Sequence, residues 1–247
     1  MFLKKSNHPS GEVITFNERF HLYNVESDRN VKFISGTTFL KKFFPAFDSQ
    51  TISLKYAEKH NLKQEDVLFQ WKEKGRISAE EGTEVHKYME DLFFDKNPVF
   101  NESNERVHKM QQQGLSLWNN FLMKEYDLIE AEKIVASIDL KIAGMVDLIG
   151  VHKQTGRLTL LDYKTNASFD FSNKWQKALF PISHLDDTKY NKYSLQLALY
   201  QYIIEKEHYY PSYPNIDRVI LHIMEDEWDT YSCPEMKREI TSMIAAF

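Results

Sequence analysis

Between Leu128 and Thr165 three β-prone runs follow one another, "LIEAEKIVAS", "IAGMVDLIGV" and "RLTLLDYKT", and no other stretch restricts the fold as much. The last two are joined through "KQTG", whose Gly156 suits a left-handed turn position. Strand residues point alternately to opposite faces, so Asp162 and Lys164 project on the same side, about 6.5–7 Å apart along the strand. If His152 and Arg157 close a four-residue hairpin loop, counting back along both strands sets Asp147 directly opposite Asp162. Directly opposed residues share a face, with β-carbons about 4.5–5.5 Å apart. Two carboxylates so close on apolar central strands repel one another and lose hydration, which calls for a cation between them. Hard oxygen ligands without a thiolate or histidine cluster suit Mg2+ or Mn2+. An isolated Asp-x-Lys pattern reads as a plain salt bridge. The second aspartate on the opposing strand makes it a candidate site.

The flanking segments give these strands their context. "GEVITFNERFHLYNV" alternates like an edge hairpin, and "SGTTFLKKFFP" predicts a short helix capped by Thr37 or Thr38 and stopped by Pro45. Helices are expected over Ile52 to His60 and Gln64 to Lys74. A separate helix should open at the capping box "SAEE", Ser78 to Glu81, and run to about Phe94. The polar segment from Glu105 to Tyr126 reads as a helical insertion. After the three strands come a helix from about Thr188 to Lys206, a strand "RVILHIM", and a capped C-terminal helix from "SCPE" onward, over 232–247. The order from Ser78 is helix, three strands, helix, strand, which is a mixed α/β plan. No linker divides the chain, so a single domain is expected, with a hairpin and helices over 1–75 and a core over 78–224.

Composition narrows the function classes. Apolar residues make up 42% of the 247 and aromatics 14%, as in globular proteins. Cys233 is the only cysteine, which excludes an intrachain disulfide and any four-cysteine zinc or iron–sulfur site. A net charge of −5 argues against coating nucleic acid through a broad basic field but leaves room for a local grip. No run approaches the roughly 18 apolar residues of a membrane span, and "MFLKKSNHPS" lacks the features of a secretory signal. A soluble, cytoplasmic protein without membrane partners is expected.

The element order, with "GMVDLIG" followed by "LLDYKT", resembles the PD-(D/E)XK nuclease superfamily, and specifically its RecB-like branch. "GTEVHKYME" is similar to that branch's Gly-Thr-x-x-His helix and "YSLQLALYQY" to its Gln-x-x-x-Tyr helix. The resemblance covers about Ser78 to Met224. It departs from the family pattern at Leu161, which stands where the family name has proline and carries no ligand. It implies a restriction-endonuclease-like α/β core with a mixed central sheet, to which this chain adds N-terminal helices. It also implies catalytic roles for Asp147, Asp162, Lys164, His86, Gln196 and Tyr200, with Asp147, Asp162 and His86 as ligands of Mg2+ or Mn2+. Gln196 and Tyr200 would contact the phosphate backbone or position the catalytic face.

Other residues stand nearby in the pattern. Glu90 lies one helical turn after His86, and Glu130 and Glu132 are on the first of the three strands. The segment "NASFDFSNKWQKALFPISHLDD", Asn166 to Asp187, directly follows Lys164 and is longer than most loops in compact domains. Its Phe169, Phe171 and Trp175 could stack on bases, with Lys174 and Lys177 on phosphates, although aromatics in such a segment more often close the core. The expected activity is metal-dependent DNA hydrolysis, by resemblance from strand ends, in repair, recombination or phage DNA processing. Alternatives are an endonuclease, a nuclease subunit that depends on a helicase or recombination protein in another chain, and a non-catalytic nucleic-acid binding module. No G-x-x-x-x-G-K-[ST] loop occurs, so a helicase would have to be a separate chain.

Overall fold

The computed structural model describes residues 3–28 and 30–247. The chain opens with an antiparallel meander, β1 (Leu3–Asn7), β2 (Val13–Asn17), β3 (Leu22–Val25) and β4 (Lys32–Ser35). Helices α1 (Gly36–Lys41), α2 (Ser49–His60), α3 (Gln64–Phe93) and α4 (Glu105–Leu117) follow. The last of these runs through a π-helical turn, Trp118–Leu122, into a short α5 (Met123–Glu125). Strands β5 (Tyr126–Ser137), β6 (Ile142–His152) and β7 (Leu158–Lys164) come next, then α6 (Lys189–Lys206), β8 (Ile216–Ile223), β9 (Trp228–Ser232) and α7 (Lys237–Ala245). Among the described residues nine strands form one mixed sheet in the order β1-β2-β3-β4-β6-β7-β8-β9, with β5 also paired to β6. None of the described helices is long and apolar enough to cross a membrane.

Alternation along the central strands feeds two helical layers. Val146, Ile149, Leu158 and Leu160 pack with Phe39 of α1, Leu195 and Leu199 of α6 and Ile240 of α7. Leu148, Leu161, Tyr163 and Leu221 meet Val85 and Met89 of α3 and Val107 and Met110 of α4 on the other face. Each fully buried Leu, Ile or Val is worth about 1.5–3 kcal/mol of transfer free energy. Ile14, Phe16, Tyr23 and Phe33 of the meander form a third cluster with Ile134, Ala136 and Ala143.

Strand β6 has three neighbours, and this shapes everything around the acidic residues. Antiparallel β5 covers one edge of it from Ile142 to His152. Parallel β4 takes the start of the other edge, at Ile142 and Ala143, and antiparallel β7 takes it again from Leu148 to Val151. The sheet therefore forks along Gly144 to Asp147. The β6–β7 register, Leu148↔Leu161 through Val151↔Leu158, is the one that counting back from His152 and Arg157 predicts. Its ladder stops one pair short of Asp147 and Asp162. Face alternation also changes here, because Val146 and Ile149 enter the same layer although they are three positions apart. Opposite Asp147 on β5 stands Glu132, whose left-handed backbone (φ 53°) interrupts the β5–β6 ladder between Ala131↔Leu148 and Lys133↔Val146.

Several expected boundaries moved. Ser35, rather than Thr37 or Thr38, caps α1, its hydroxyl accepting from the Thr38 N–H at 3.1 Å. The helices expected over Gln64 to Lys74 and from Ser78 onward are one continuous helix, so the expected boundary between 75 and 78 falls inside α3. Arg76 explains the continuity: its guanidinium reaches Glu73 at 3.0 Å and Glu80 at 2.6 Å, bridging the expected break on both sides. Ser78 then has no free helix start to cap. At the other end "SCPE" begins no helix, because Ser232 closes β9 and the Cys233 N–H still donates to Arg218 on β8. Strands β1, β4 and β9 carry too little alternation to be read from sequence. Gly75 is exposed in mid-helix, and an added β-carbon there would meet nothing within 4 Å. Gly75→Ala should therefore stabilise the protein by about 1 kcal/mol, measured as a raised denaturation midpoint. No gain would mean that α3 breaks there.

Candidate active site

Five elements deliver the charged residues to the fork. Asp147 ends the unpaired stretch of β6, and its Oδ2 accepts from the Tyr163 N–H of β7 at 2.8 Å, a side chain standing in for a main-chain acceptor where the strands part. One pleat along β7 on either side of Tyr163, Asp162 is 1% exposed and forms a tight ion pair with the Lys164 ammonium. Apart from that ammonium, no donor reaches the buried Asp162 Oδ2. Helix α3 crosses close above: a β-carbon on Gly82 would lie 2.9 Å from the Thr165 hydroxyl. That approach brings His86, one turn later, to 3.4 Å from Asp147 Oδ2, with its ring edge-on to Tyr163 at 5.8 Å between centroids.

The electrostatics divide the two carboxylates. Burial is the main push on Asp162, which Lys164 opposes and the charge of Asp147 reinforces, leaving its carboxyl at about 6. Burial also works against the Asp147 charge, but His86, Lys164 and the Tyr163 N–H outweigh it and hold this carboxyl below its usual range. Desolvation disfavours the charged forms of His86 and Lys164, and their aspartate partners more than compensate, so both are raised. Glu132, which faces Asp147 across the hairpin, is pushed up to about 7, first by burial and then by the charge of Asp147.

Two clefts open from this point. A groove of about 1050 Å³ runs past His86, Tyr163 and Lys164 between the exposed half of α3, including Phe69 and Ile77, and the residues after β7. A smaller cleft of about 500 Å³ exposes Asp147, Glu132 and Glu90 beside His86. Here the Lys4 ammonium lies 2.9 Å from Glu132, 3.4 Å from Glu18 and 3.5 Å from Glu90. Lys4 and Tyr193 were not legible as site residues. Tyr193 of α6 offers its ring to the Lys164 ammonium at 4.6 Å and donates its hydroxyl to Asn166 Oδ1 at 3.3 Å. Its only sequence signal is its place one turn before Gln196. Gln196 donates to the Tyr200 hydroxyl at 3.3 Å. The Tyr200 ring is buried on two glycines, where a β-carbon on Gly144 would come within 2.2 Å and one on Gly36 within 2.8 Å. Tyr200 therefore plugs the fork instead of facing solvent.

The segment after β7 divides. Asn166, Ala167 and Ser168 line the large groove, and the Asn166 carbonyl is anchored by His222 Nε2 at 2.7 Å. Phe169 stacks on Tyr231 at 5.0 Å and packs against the core. Trp175 is 96% exposed, and Lys177 pairs with Asp186. Neither of these, nor Lys174, lines either cleft beside Asp147 and Lys164. Glu130 is bound up with Lys133 at 2.8 Å.

Among the described residues no three His, Cys, Asp or Glu side chains stand together as a formed metal site. The donor set nonetheless fits a hard divalent cation: two carboxylates share the fork, and the buried Asp162 Oδ2 is met by no donor besides the Lys164 ammonium. The raised carboxyls favour their protonated forms in the fold, so they cost no stability below about pH 4 and destabilise the fold increasingly as pH rises to 6 and 7. The raised His86 adds stability that is lost in the same direction, whereas the lowered Asp147 has gained its contribution by pH 5. The metal-free protein should thus melt at a higher temperature at pH 5 than at pH 7.5. Mn2+ should narrow that gap, and thermal denaturation with and without a chelator reads both effects.

The chain is similar to a solved structure titled "Crystal structure of SSO0001" at 16% identity, with 86% of this chain and 72% of that chain covered and a TM-score of 0.30. No match was found among curated proteins. A family model of the PD-(D/E)XK nuclease superfamily matches residues 57–240, a span that contains His86, Asp147, Asp162, Lys164, Gln196 and Tyr200. The chain belongs to the PD-(D/E)XK nuclease superfamily.

Proposed function

We propose that this nuclease hydrolyses DNA with Mg2+ or Mn2+, working from strand ends. The observation that carries the reading is the meeting of Asp147, Asp162, His86 and Lys164 where the sheet forks, with His86 and Lys164 lining the groove of about 1050 Å³ and Asp147 lining the smaller cleft beside it. Nucleases of this superfamily generally use divalent metal ions, and here Asp147, Asp162 and His86 would hold one. Bound there, it would supply Lewis acidity toward a phosphate oxygen and a more acidic water. The chain's own residues do the rest. Lys164 carries a fixed positive charge at the groove, held from one side by Asp162 and from the other by the Tyr193 ring, where it would orient the attacking water and offset charge on the phosphorane. The His86–Asp147 contact fixes the imidazole, and Tyr200 keeps Gln196 at the mouth of the fork.

End dependence and the RecB-like branch rest on the resemblance of the His86 and Gln196 helices. They gain support from a groove walled by α3 on one side and the residues after β7 on the other. A place in repair, recombination or phage DNA processing, with a helicase as a separate chain, fits that branch.

Replacing Lys164 with methionine keeps most of the stem's packing and removes the charge. Lys164→Met should retain Mn2+ binding while cleavage slows by roughly a hundredfold or more. An active Lys164→Met protein would make the lysine structural. End-labelled linear strands and closed circles of the same sequence decide the mode of attack: linear strands should be degraded with either metal, and circles should persist. Circles cut as fast as linear strands would make this an endonuclease.

A further inference from the structure

A second feature on the same side of the molecule has no part in the chemistry above. Beside Gln196 and Tyr193 lies an apolar pocket of about 460 Å³ between α1 and α6, walled by Leu40, Phe44, Pro45 and Phe47. Lys41 and Lys192 stand at its rim, and the Lys192 ammonium lies 4.8 Å from the Phe44 ring centroid. Tyr193 lines both this pocket and the catalytic groove, so the two are adjacent.

The pocket leads into a row of aromatic rings. Phe47, 66% exposed, lies 6.0 Å from Trp71 of α3. Trp71 lies 5.9 Å from Tyr56 of α2, which packs on His60 at 4.2 Å. Tyr56 and Trp71 meet across α2 and α3, whose buried residues nearby are Ser53, Ala57 and Val67, so the rings lie at the outer margin of the helix pair. Exposed lysines accompany it at helical spacing, Lys59 three residues after Tyr56 and Lys74 three residues after Trp71.

We propose that this pocket and row form a track for the unpaired bases of a single strand leading to or from the catalytic groove. The inference rests on the nuclease reading for what lies at the end of the track. Exposed flat rings with cations beside them match alternating bases and phosphates, and duplex DNA, whose bases already stack on one another, offers no faces to them. The first base, in the pocket, would sit beside Gln196, and its phosphate within reach of Lys41 and Lys192.

The test uses the full chain in chelator, so that binding is read without cleavage. Fluorescence anisotropy with a labelled oligothymidylate and with a blunt duplex should show Phe47→Ala and Tyr56→Ala each weakening single-strand binding by about fivefold or more, with little change for duplex. Phe47→Tyr should restore binding, and unchanged melting temperatures would confirm the fold. Unaltered single-strand affinity in both alanine variants, or an equal loss on duplex, would overturn the track and leave the aromatic row to a protein partner or to general backbone contact. Cleavage by the wild-type protein is scored separately. Single-strand binding through Phe47 in a protein that cuts nothing would keep the track and sink the nuclease reading.

Discussion

The site depends on like charge forced together where water is scarce. Asp147 and Asp162 stand on neighbouring strands at the end of their ladder, and their ionised forms repel. In a low-dielectric setting such a pair persists only with compensation close at hand. Lys164 and His86 provide it from opposite directions, one from the strand itself and one from the helix above. The result is asymmetric, one carboxyl strongly ionised and the other poised to take a proton. A site of this kind is prepared for a cation before any cation arrives.

Geometry makes that arrangement possible. A continuous sheet would pair the polar main chain of Gly144 to Asp147 and fill the space above it with side chains. Here β4 and β7 each take only part of the β6 edge, and the interval is closed by the Tyr200 ring over Gly144 and Gly36. The two glycines are as much a part of the site as the acids, since a methyl group on either would displace the ring and the Gln196 amide bonded to it. Gly82 does the same service for α3 by letting it descend onto Thr165.

The hairpin that carries Asp147 and Asp162 was legible because register follows arithmetically from a short loop, and the loop has the expected length. The helix–three strands–helix–strand order was legible for a related reason: long, strongly patterned segments leave few alternatives. What sequence did not reveal was set by partners remote in the chain. Nothing local marks Lys4, whose value comes from Glu132 and Glu90, more than eighty residues away. The "SAEE" box is a sound start signal that Arg76 overrides through its ion pairs across the expected break. Tyr200 reads as an ordinary aromatic on an amphipathic helix until the glycines beneath it are seen. In the Asn166 to Asp187 segment composition left both core closure and substrate contact open, and the structure packs Phe169 on the core while Trp175 lines neither cleft.

The Lys4 contact carries a consequence for how the acidic cleft is kept neutral. Its carboxylates are compensated by an ammonium tethered to the first strand, and on the proposed reading an ion beside Asp147 would be a second kind of positive charge. The tethered charge cannot be dialysed away, whereas a bound ion exchanges with the medium. The cleft therefore never empties of positive charge, and loss of such an ion would expose only the portion of the repulsion nearest Asp147. Compensation is permanent at the rim, whereas at the fork, on the proposed reading, it would be replaceable.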